Sequence, residues 1–225
     1  MLETIIAGGP LMIVLMIESI LAIAVALDRA AAFRANARVD IRSLRSKVQN
    51  QLLEAKYEEA LAICLATPGP VSAVMAAGLQ SYLKHRVATA NAETLRAIVQ
   101  DAMTDYARLA INTVERRMNI LSFIGTSAPL FGMTGTVTGM IKSFDALASA
   151  GAADGGAVVA AGISEALITT AAGLLIAMMA VIPHHYFASR SEDIEIQIAE
   201  AGSEILDYIS LNESANHNAN TPAIA

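Results

Sequence analysis

The sequence predicts an all-α integral membrane protein with three transmembrane helices. Of its 225 residues, 55% are hydrophobic and only 16% are charged, and the mean hydropathy of +0.50 is high for a soluble domain. Three apolar segments are each long enough to cross a hydrocarbon core of about 30 Å, which takes about 20 helical residues. They are residues 8–27, 120–141 and 158–183.

The first segment is expected to be a retained membrane helix. It is too long for a signal peptide, and it lacks the basic stretch and the small-residue cleavage site that flank one. Glu18 lies at its middle, where a carboxyl group is costly. Because its neighbours form no stripe of hydroxyls, we expect Glu18 to make a structural or interfacial pairing, and it is a secondary site candidate.

The distribution of basic residues predicts the orientation. Thirteen of the 15 Lys and Arg residues lie between Arg29 and Arg117, and none precedes the first span. The positive-inside rule then places the middle of the chain in the cytoplasm and the N-terminus outside. The predicted divisions are an outer N-terminus with the first helix (1–28), a cytoplasmic helical segment (29–118), a transmembrane hairpin (119–188) and a cytoplasmic C-terminal helix with a disordered tail (189–225).

Within these divisions, local signals predict where helices end. "ATPGPVS" at 66–72 ends one helix, and Ser72 is able to start the next. No breaker stands between residue 92 and Pro129, so one continuous helix is expected from about 92 to 141. The hairpin turn is expected at about 145–157, and the third span should continue as a helix beyond 189, with 212–225 disordered. Cys64, the single cysteine of the chain, excludes an intrachain disulfide and suits a reducing compartment.

The second span is unusually rich in small and hydroxyl residues, since ten of the 22 residues in 120–141 are Gly, Ser or Thr. At about 100° per residue, one narrow line of side chains forms what we name the hydroxyl stripe: Ser122, Thr126, Pro129, Met133 and Thr136. Beside it lies the glycine arc: Gly125, Gly132, Gly135 and Gly139.

The glycine arc predicts close packing against another helix. Each glycine lowers helix propensity by about 1 kcal/mol, and small residues let membrane helices approach closely. The hydroxyl stripe fits either a packed surface or a water-lined one, and we favour the second. The glycine arc is expected to need a partner surface beyond its own hairpin, which predicts a homo-oligomer.

Glu165 in the third span is the leading functional candidate. An ionised group at membrane depth costs about 2.5–3.5 kcal/mol, so such residues usually face a cavity or a partner. The alternative is a position near enough to the outer interface to reach water. Thr169 shares the face of Glu165, whereas Thr170 points about 140° away on a regular helix.

Enzymatic chemistry is not expected. The chain contains no H-E-x-x-H, G-x-S-x-G or G-x-x-x-x-G-K-[ST] motif. His184 and His185 diverge by about 100° on a helix and have no further ligand at chelating spacing, so neither a metal nor another cofactor is predicted. The net charge of −6 offers no reason to expect a nucleic acid partner.

Two long motifs resemble a known family. "SFIGTSAPLFGMTGTVTGMIKSF" (122–144) followed by "GISEALITTAAGLLIAMMAVIPHHYF" (162–187) resembles the paired signature of the MotA/TolQ/ExbB proton channel family. "SILAIAVALDRAAAFR" (19–34) and "CLATPGPVSAVMAAGL" (64–79) are similar to ExbB-type members. Three spans rather than four point away from the flagellar MotA branch.

The resemblance implies a pentameric ring in the bacterial inner membrane. Its second and third helices would surround a lumen that holds the single helices of an ExbD/TolR-type partner, whose membrane aspartate carries protons, and a TonB-like protein would receive the work. The family's functional residues fall on Thr136, Thr170 and Glu165, with Ser122, Thr126 and Thr169 as secondary candidates. The chain departs from the family where Pro183 stands a turn later than the usual proline, and in having Glu18.

Three classes of function therefore stay open. The favoured one is a stator that couples proton flow to work at the outer membrane, either ExbB-like for TonB-dependent import or TolQ-like for envelope maintenance. The second is a self-sufficient ion channel or carrier, which lacks support because no inverted repeat is evident. The third is a structural membrane scaffold.

Overall fold

The structure is a computed structural model that describes residues 9–89, 91–150 and 155–220. Seven helices follow one another within these residues: α1 (Leu11–Ala37), α2 (Ile41–Leu53), α3 (Tyr57–Ala66), α4 (Pro70–His85), α5 (Ala92–Glu115), α6 (Met118–Ala150) and α7 (Gly155–Asn220). Of these, α1, α6 and α7 are long and apolar enough to cross a membrane. The prediction of an all-α protein with three spans is confirmed.

The chain divides into two compact units. The first, the membrane unit, contains the described residues up to Ala31 together with residues 117–188. The second, the helical unit, contains residues 32–116 together with the chain from Ser189 onward. Both α1 and α7 have residues in each unit, because these two helices are longer than a membrane span requires.

The predicted continuous helix over 92–141 is wrong, because α5 ends at Glu115 and α6 begins at Met118. Arg117 has a φ of 71°, in the left-handed region that non-glycine residues rarely adopt. Its guanidinium donates a hydrogen bond to Asp28 at 3.0 Å, and Asp28 also accepts one from Arg29 at 2.7 Å. No proline or glycine marks this break, so helix-breaker signals alone do not reveal it.

The third span does continue as one helix, as predicted. α7 runs for 66 residues and contains Pro183 without ending there. It reaches Asn220, so much of the tail predicted to be disordered is helical, while residues 221–225 lie outside the described residues. The predicted hairpin turn at 145–157 is shorter, since α6 extends to Ala150 and α7 starts at Gly155. Residues 151–154 lie outside the described residues.

The helical unit has its own apolar core, drawn from α2 to α5 and from the last part of α7. Its fully buried side chains include Val48, Leu79, Leu95, Val99 and Ile205. The predicted break at 66–72 is confirmed, but α4 starts at Pro70 rather than at Ser72. Proline suits the first helical position because its missing N–H would be unpaired there in any case. The Ser72 hydroxyl donates instead to the carbonyls of Thr67 and Gly69.

Ion pairs join α2 to α7 in the helical unit. Arg45 on α2 donates hydrogen bonds to Glu204 at 3.0 Å and to Glu200 at 2.6 Å on α7, and these bonds raise the pKa of the guanidinium, with Glu204 contributing most.

Cys64, in the core of the helical unit, is only 1% exposed, and burial raises the pKa of its thiol to about 12. Because the thiolate is the reactive form, Cys64 is a poor target for thiol reagents in the folded protein.

Candidate functional site in the membrane helices

The glycine arc of α6 packs against α7. A Cβ added at Gly135 would lie 2.6 Å from Cγ2 of Thr169, and one at Gly139 would lie 2.8 Å from Cβ of Ala166. At Gly132 the nearest atom would be backbone, the Cα of Thr170 at 3.1 Å. The two helices therefore approach so closely that larger residues would not fit without displacement.

The sequence reasoning missed the matching surface on α7. Gly162, Ala166, Thr169 and Gly173 recur at helical spacing on one face. A Cβ at Gly173 would lie 2.5 Å from the carbonyl oxygen of Ala128, and one at Gly162 would overlap Oγ of Ser143. The signal is a periodic run of small residues, and Thr169 is the member that this run shares with the face of Glu165.

The hydroxyl stripe lies on the side of α6 that the chain leaves open. Ser122, Thr126 and Met133 are exposed, and Pro129 and Thr136 are half-buried. Its threonine hydroxyls donate to carbonyls of their own helix, from Thr136 to Met133 at 2.6 Å and from Thr126 to Phe123 at 2.9 Å. Each hydroxyl oxygen still offers acceptor capacity on this open face.

Thr169 and Thr170 differ in their surroundings. Thr169 is 1% exposed, and its hydroxyl donates to the carbonyl of Glu165 at 3.1 Å. Thr170 is half-buried, and its hydroxyl donates across the hairpin to the carbonyl of Gly132 at 2.7 Å. Thr170 thus links α7 to the glycine arc of α6.

Glu165 lies beside the residues that precede α1. It is half-buried, and a Cβ at Gly9 would lie 2.6 Å from its Oε1. Gly9 itself has a φ of 70°, which favours glycine independently of the available space. Glu165 is therefore level with the start of the first membrane helix, which agrees with the alternative that it lies near an interface.

Glu18 is the carboxyl group that lies deep in the membrane unit. It is seven residues after Leu11, the first residue of α1, which corresponds to about 10.5 Å along the helix. It is 7% exposed, and its Oε1 accepts a hydrogen bond from Oγ of Ser127 at 2.7 Å. Oε2 is also buried and has no hydrogen-bond partner in the part of the chain that the structure describes. A pairing was predicted for Glu18, but sequence periodicity within single helices could not identify Ser127 as its partner.

The structure brings some candidates together and separates others. Gly125, Gly132, Gly135 and Gly139 meet α7, and Thr169 and Thr170 stand at that same contact. Glu165 lies beside Gly9, which precedes α1, and Thr136 remains on the open face of α6. In residues 9–89, 91–150 and 155–220, no group of three His, Cys, Asp or Glu side chains is placed to hold a metal ion.

Comparison with known proteins shows which family the chain belongs to. The model of the MotA/TolQ/ExbB proton channel family matches residues 66–200, more than half of the chain. The chain belongs to this family. The resemblance predicted from the motifs is confirmed, and it includes similarity to ExbB-type members.

Relatives in the MotA/TolQ/ExbB family carry both ExbB and TolQ names. The chain is 38% identical over 91 residues to biopolymer transport protein ExbB of Pseudomonas putida, which covers 40% of the chain and 27% of that relative. It is 40% identical over 98 residues to Tol-Pal system protein TolQ of Pseudomonas aeruginosa, covering 42% of each. It is 30% identical over 208 residues to putative biopolymer transport protein ExbB-like 1 of Synechocystis, covering 91% of the chain and 77% of that relative.

Proposed function

We propose that this chain is the stator subunit of a proton-driven energy-transducing complex in the bacterial inner membrane, and that it couples the proton gradient to work at the outer membrane. The observation that carries the proposal is the open hydroxyl stripe of α6. A helix that only anchored the chain in lipid would gain nothing from a polar line on its outer face. Membership of a proton channel family supports a polar pathway at this surface.

The exposed apolar surface supports assembly with further chains. Only 28%, 33% and 33% of the most apolar parts of α1, α6 and α7 are buried within the chain. On α7, an open concave surface is lined by Ala160, Ile163, Ser164, Leu167, Ile168 and Ala171. We propose that neighbouring copies cover part of this surface in a ring of five.

In this proposal the ring surrounds a lumen. Thr136, Thr126 and Ser122 would line it, and Thr170 would hold the neighbouring helix in register. The lumen would contain single helices of an ExbD/TolR-like protein, and a TonB-like protein would receive the resulting motion. The N-terminus would be periplasmic and the C-terminus cytoplasmic, as the basic residues between Arg29 and Arg117 indicate.

A TolQ-like role is the second candidate. The similarity to TolQ of Pseudomonas aeruginosa is as high over its matched region as the similarity to ExbB of Pseudomonas putida. In that case the work would maintain the envelope instead of driving import. Deleting the gene and scoring TonB-dependent uptake and envelope sensitivity to detergent separates the two roles.

Replacing the Thr136 hydroxyl tests the proposed lumen. Thr136→Val keeps the volume and branching, so the complex should assemble, while proton-gradient-dependent activity should fall by at least about fivefold, the equivalent of one hydrogen bond of about 1 kcal/mol. Thr134→Val is the matched control, because Thr134 lies about 120° from the centre of the stripe on α6. The measurement is uptake with and without a protonophore, at equal amounts of complex.

Equal activity in Thr136→Val and the parent would remove Thr136 from the proposed pathway. If Thr170→Val were also fully active, the proposed role of Thr170 in holding the neighbouring helix in register would be wrong. Loss of activity in Thr134→Val to the same extent would show a general effect of losing a threonine from α6.

A further inference from the structure

The contact between Glu18 and Ser127 is a polar link in an apolar part of the membrane unit. Both residues are buried, at 7% and 8% exposure, and their oxygen atoms are 2.7 Å apart. Leu15 and Ala22, one turn before and after Glu18 on α1, are 0% exposed. Ile124, one turn before Ser127 on α6, is also 0% exposed. The hydrogen bond is therefore shielded from water.

Ser127 lies on a different side of α6 from the hydroxyl stripe. At 100° per residue, it is about 140° from the centre of the hydroxyl stripe. The glycine arc occupies another side of α6 and meets α7. α6 is thus held on two sides, by α7 through the glycine arc and by α1 through Ser127, and the stripe is left on the remaining side.

We propose that Glu18 is a positioning residue whose hydrogen bond to Ser127 sets the rotation of α6 about its axis. Turning α6 would separate the two groups and leave a buried carboxyl and a buried hydroxyl without their partners, which is unfavourable in an apolar environment. The link thereby keeps the hydroxyl stripe facing away from α1. This role of Glu18 rests on the proposed function of the stripe.

The geometry distinguishes this role from proton transport by Glu18. Both carboxyl oxygens are covered: Oε1 accepts a hydrogen bond from Ser127, and Oε2 is buried without a hydrogen-bond partner among the described residues. The carboxyl group therefore lies on the side of α6 that contacts α1, away from the hydroxyl stripe. A positioning residue needs a side chain that can hydrogen-bond to Ser127, whereas a proton carrier needs a titratable group.

The rotation of α6 can be measured by thiol labelling in the purified full-length protein. Met133→Cys is the stripe reporter, and Phe131→Cys is the rear reporter, at a half-buried position about 160° away. Cys64 can remain, since it is buried in the helical unit. Each reporter is combined with Glu18→Leu, Glu18→Gln, Ser127→Ala or Ser143→Ala, and the labelling rates with a small water-soluble reagent are compared.

We expect the labelling rate of the stripe reporter, divided by that of the rear reporter, to fall in Glu18→Leu and in Ser127→Ala. The fall in this ratio should be about threefold to about fifteenfold, which is the fold-change that corresponds to the free energies of hydrogen bonds between membrane helices. Glu18→Gln should keep the parent ratio, because its amide can still bond to Ser127. Ser143→Ala is the matched control, since Ser143 is also buried on α6 but donates to the carbonyl of Gly139 in its own helix.

Two results would overturn the proposal. One is an unchanged ratio in both Glu18→Leu and Ser127→Ala, and the second variant keeps the test valid if the first does not fold. The other is a shift in Glu18→Gln as large as that in Glu18→Leu, which would assign the role to the acid itself. Labelling needs neither a proton gradient nor a partner, so its failure is distinct from failure of the proposed function.

Discussion

The carboxyl group of Glu165 occupies the space that a side chain at position 9 would need. Gly9 adopts a φ of 70°, and any larger residue there would bring a Cβ to 2.6 Å from Oε1 of Glu165. The turn at Gly9 leads into α1. The backbone N–H of Met12 donates a hydrogen bond to the carbonyl of Gly9 at 3.1 Å, and that of Ile13 donates to the carbonyl of Pro10 at 3.2 Å. A carboxylate at this end of α1 is favoured by the helix dipole.

Glu165→Gln distinguishes two roles of Glu165. Its carboxylate either takes part in coupling or only lies near the interface, where it reaches water. The amide keeps the shape of the side chain, so we expect normal assembly with proton-gradient-dependent activity lost, because the titratable charge is gone. Glu18→Gln is the comparison and should keep most of its activity. Complex recovery and activity are measured together for both variants.

Full activity in Glu165→Gln would show that the carboxylate has no part in coupling. Poor recovery of the complex would instead assign Glu165 a role in assembly. Gly9→Ala gives an independent check, because it displaces the Glu165 carboxylate without changing its charge.

At the scale of helices, the hairpin of α6 and α7 depends on positions that have no room for a side chain. Gly173 is the tightest contact with backbone, since its added Cβ would lie 2.5 Å from the Ala128 carbonyl oxygen. Gly156, near the start of the same helix, would meet no atom of the described residues within 4 Å. The two glycines therefore form a matched pair of test sites.

Alanine should have opposite effects at these two sites. Gly156→Ala should leave stability unchanged or raise it by up to about 1 kcal/mol, the difference in helix propensity. Gly173→Ala should lower stability by about 1–3 kcal/mol, because backbone atoms must move to admit the methyl group. Thermal unfolding of the purified protein in one detergent measures both, and a stabilised Gly173→Ala would contradict the packing.

Helix content and the packing face of α6 could be predicted from the sequence because each depends on one segment alone. Apolar length gave the three spans, and glycine spacing gave the packing face of α6. The expectation that this face needs a surface beyond its own hairpin is wrong, because it packs against α7 of the same hairpin. The pairings of Glu18 with Ser127 and of Glu165 with Gly9 could not be predicted, since periodicity within a helix does not say which helices touch.

The helix break at residues 116–117 could not be predicted for a related reason. Neither residue is a helix breaker, and the left-handed conformation of Arg117 accompanies its ion pair with Asp28, 89 residues away in the sequence. Local propensity favours a continuous helix there, and a long-range contact accompanies the break.

At the scale of the whole molecule, the chain leaves much of the surface of its membrane helices uncovered. Only 28%, 33% and 33% of the most apolar parts of α1, α6 and α7 are buried within the chain. Lipid can cover the apolar surface, but it offers no hydrogen-bond donor to the hydroxyl oxygens of the stripe. A ring of identical chains around partner helices would cover both.

Native mass spectrometry of the complex extracted from its own membrane tests this most directly. We expect several copies of the chain, five if the ring is as proposed, bound to fewer copies of a small single-span protein. The pattern should persist across several mild detergents, because a detergent, like lipid, offers no hydrogen-bond donor to the hydroxyl stripe. Only monomers, or oligomers that never carry a single-span partner, would contradict the proposed stator and favour a self-sufficient channel or a scaffold.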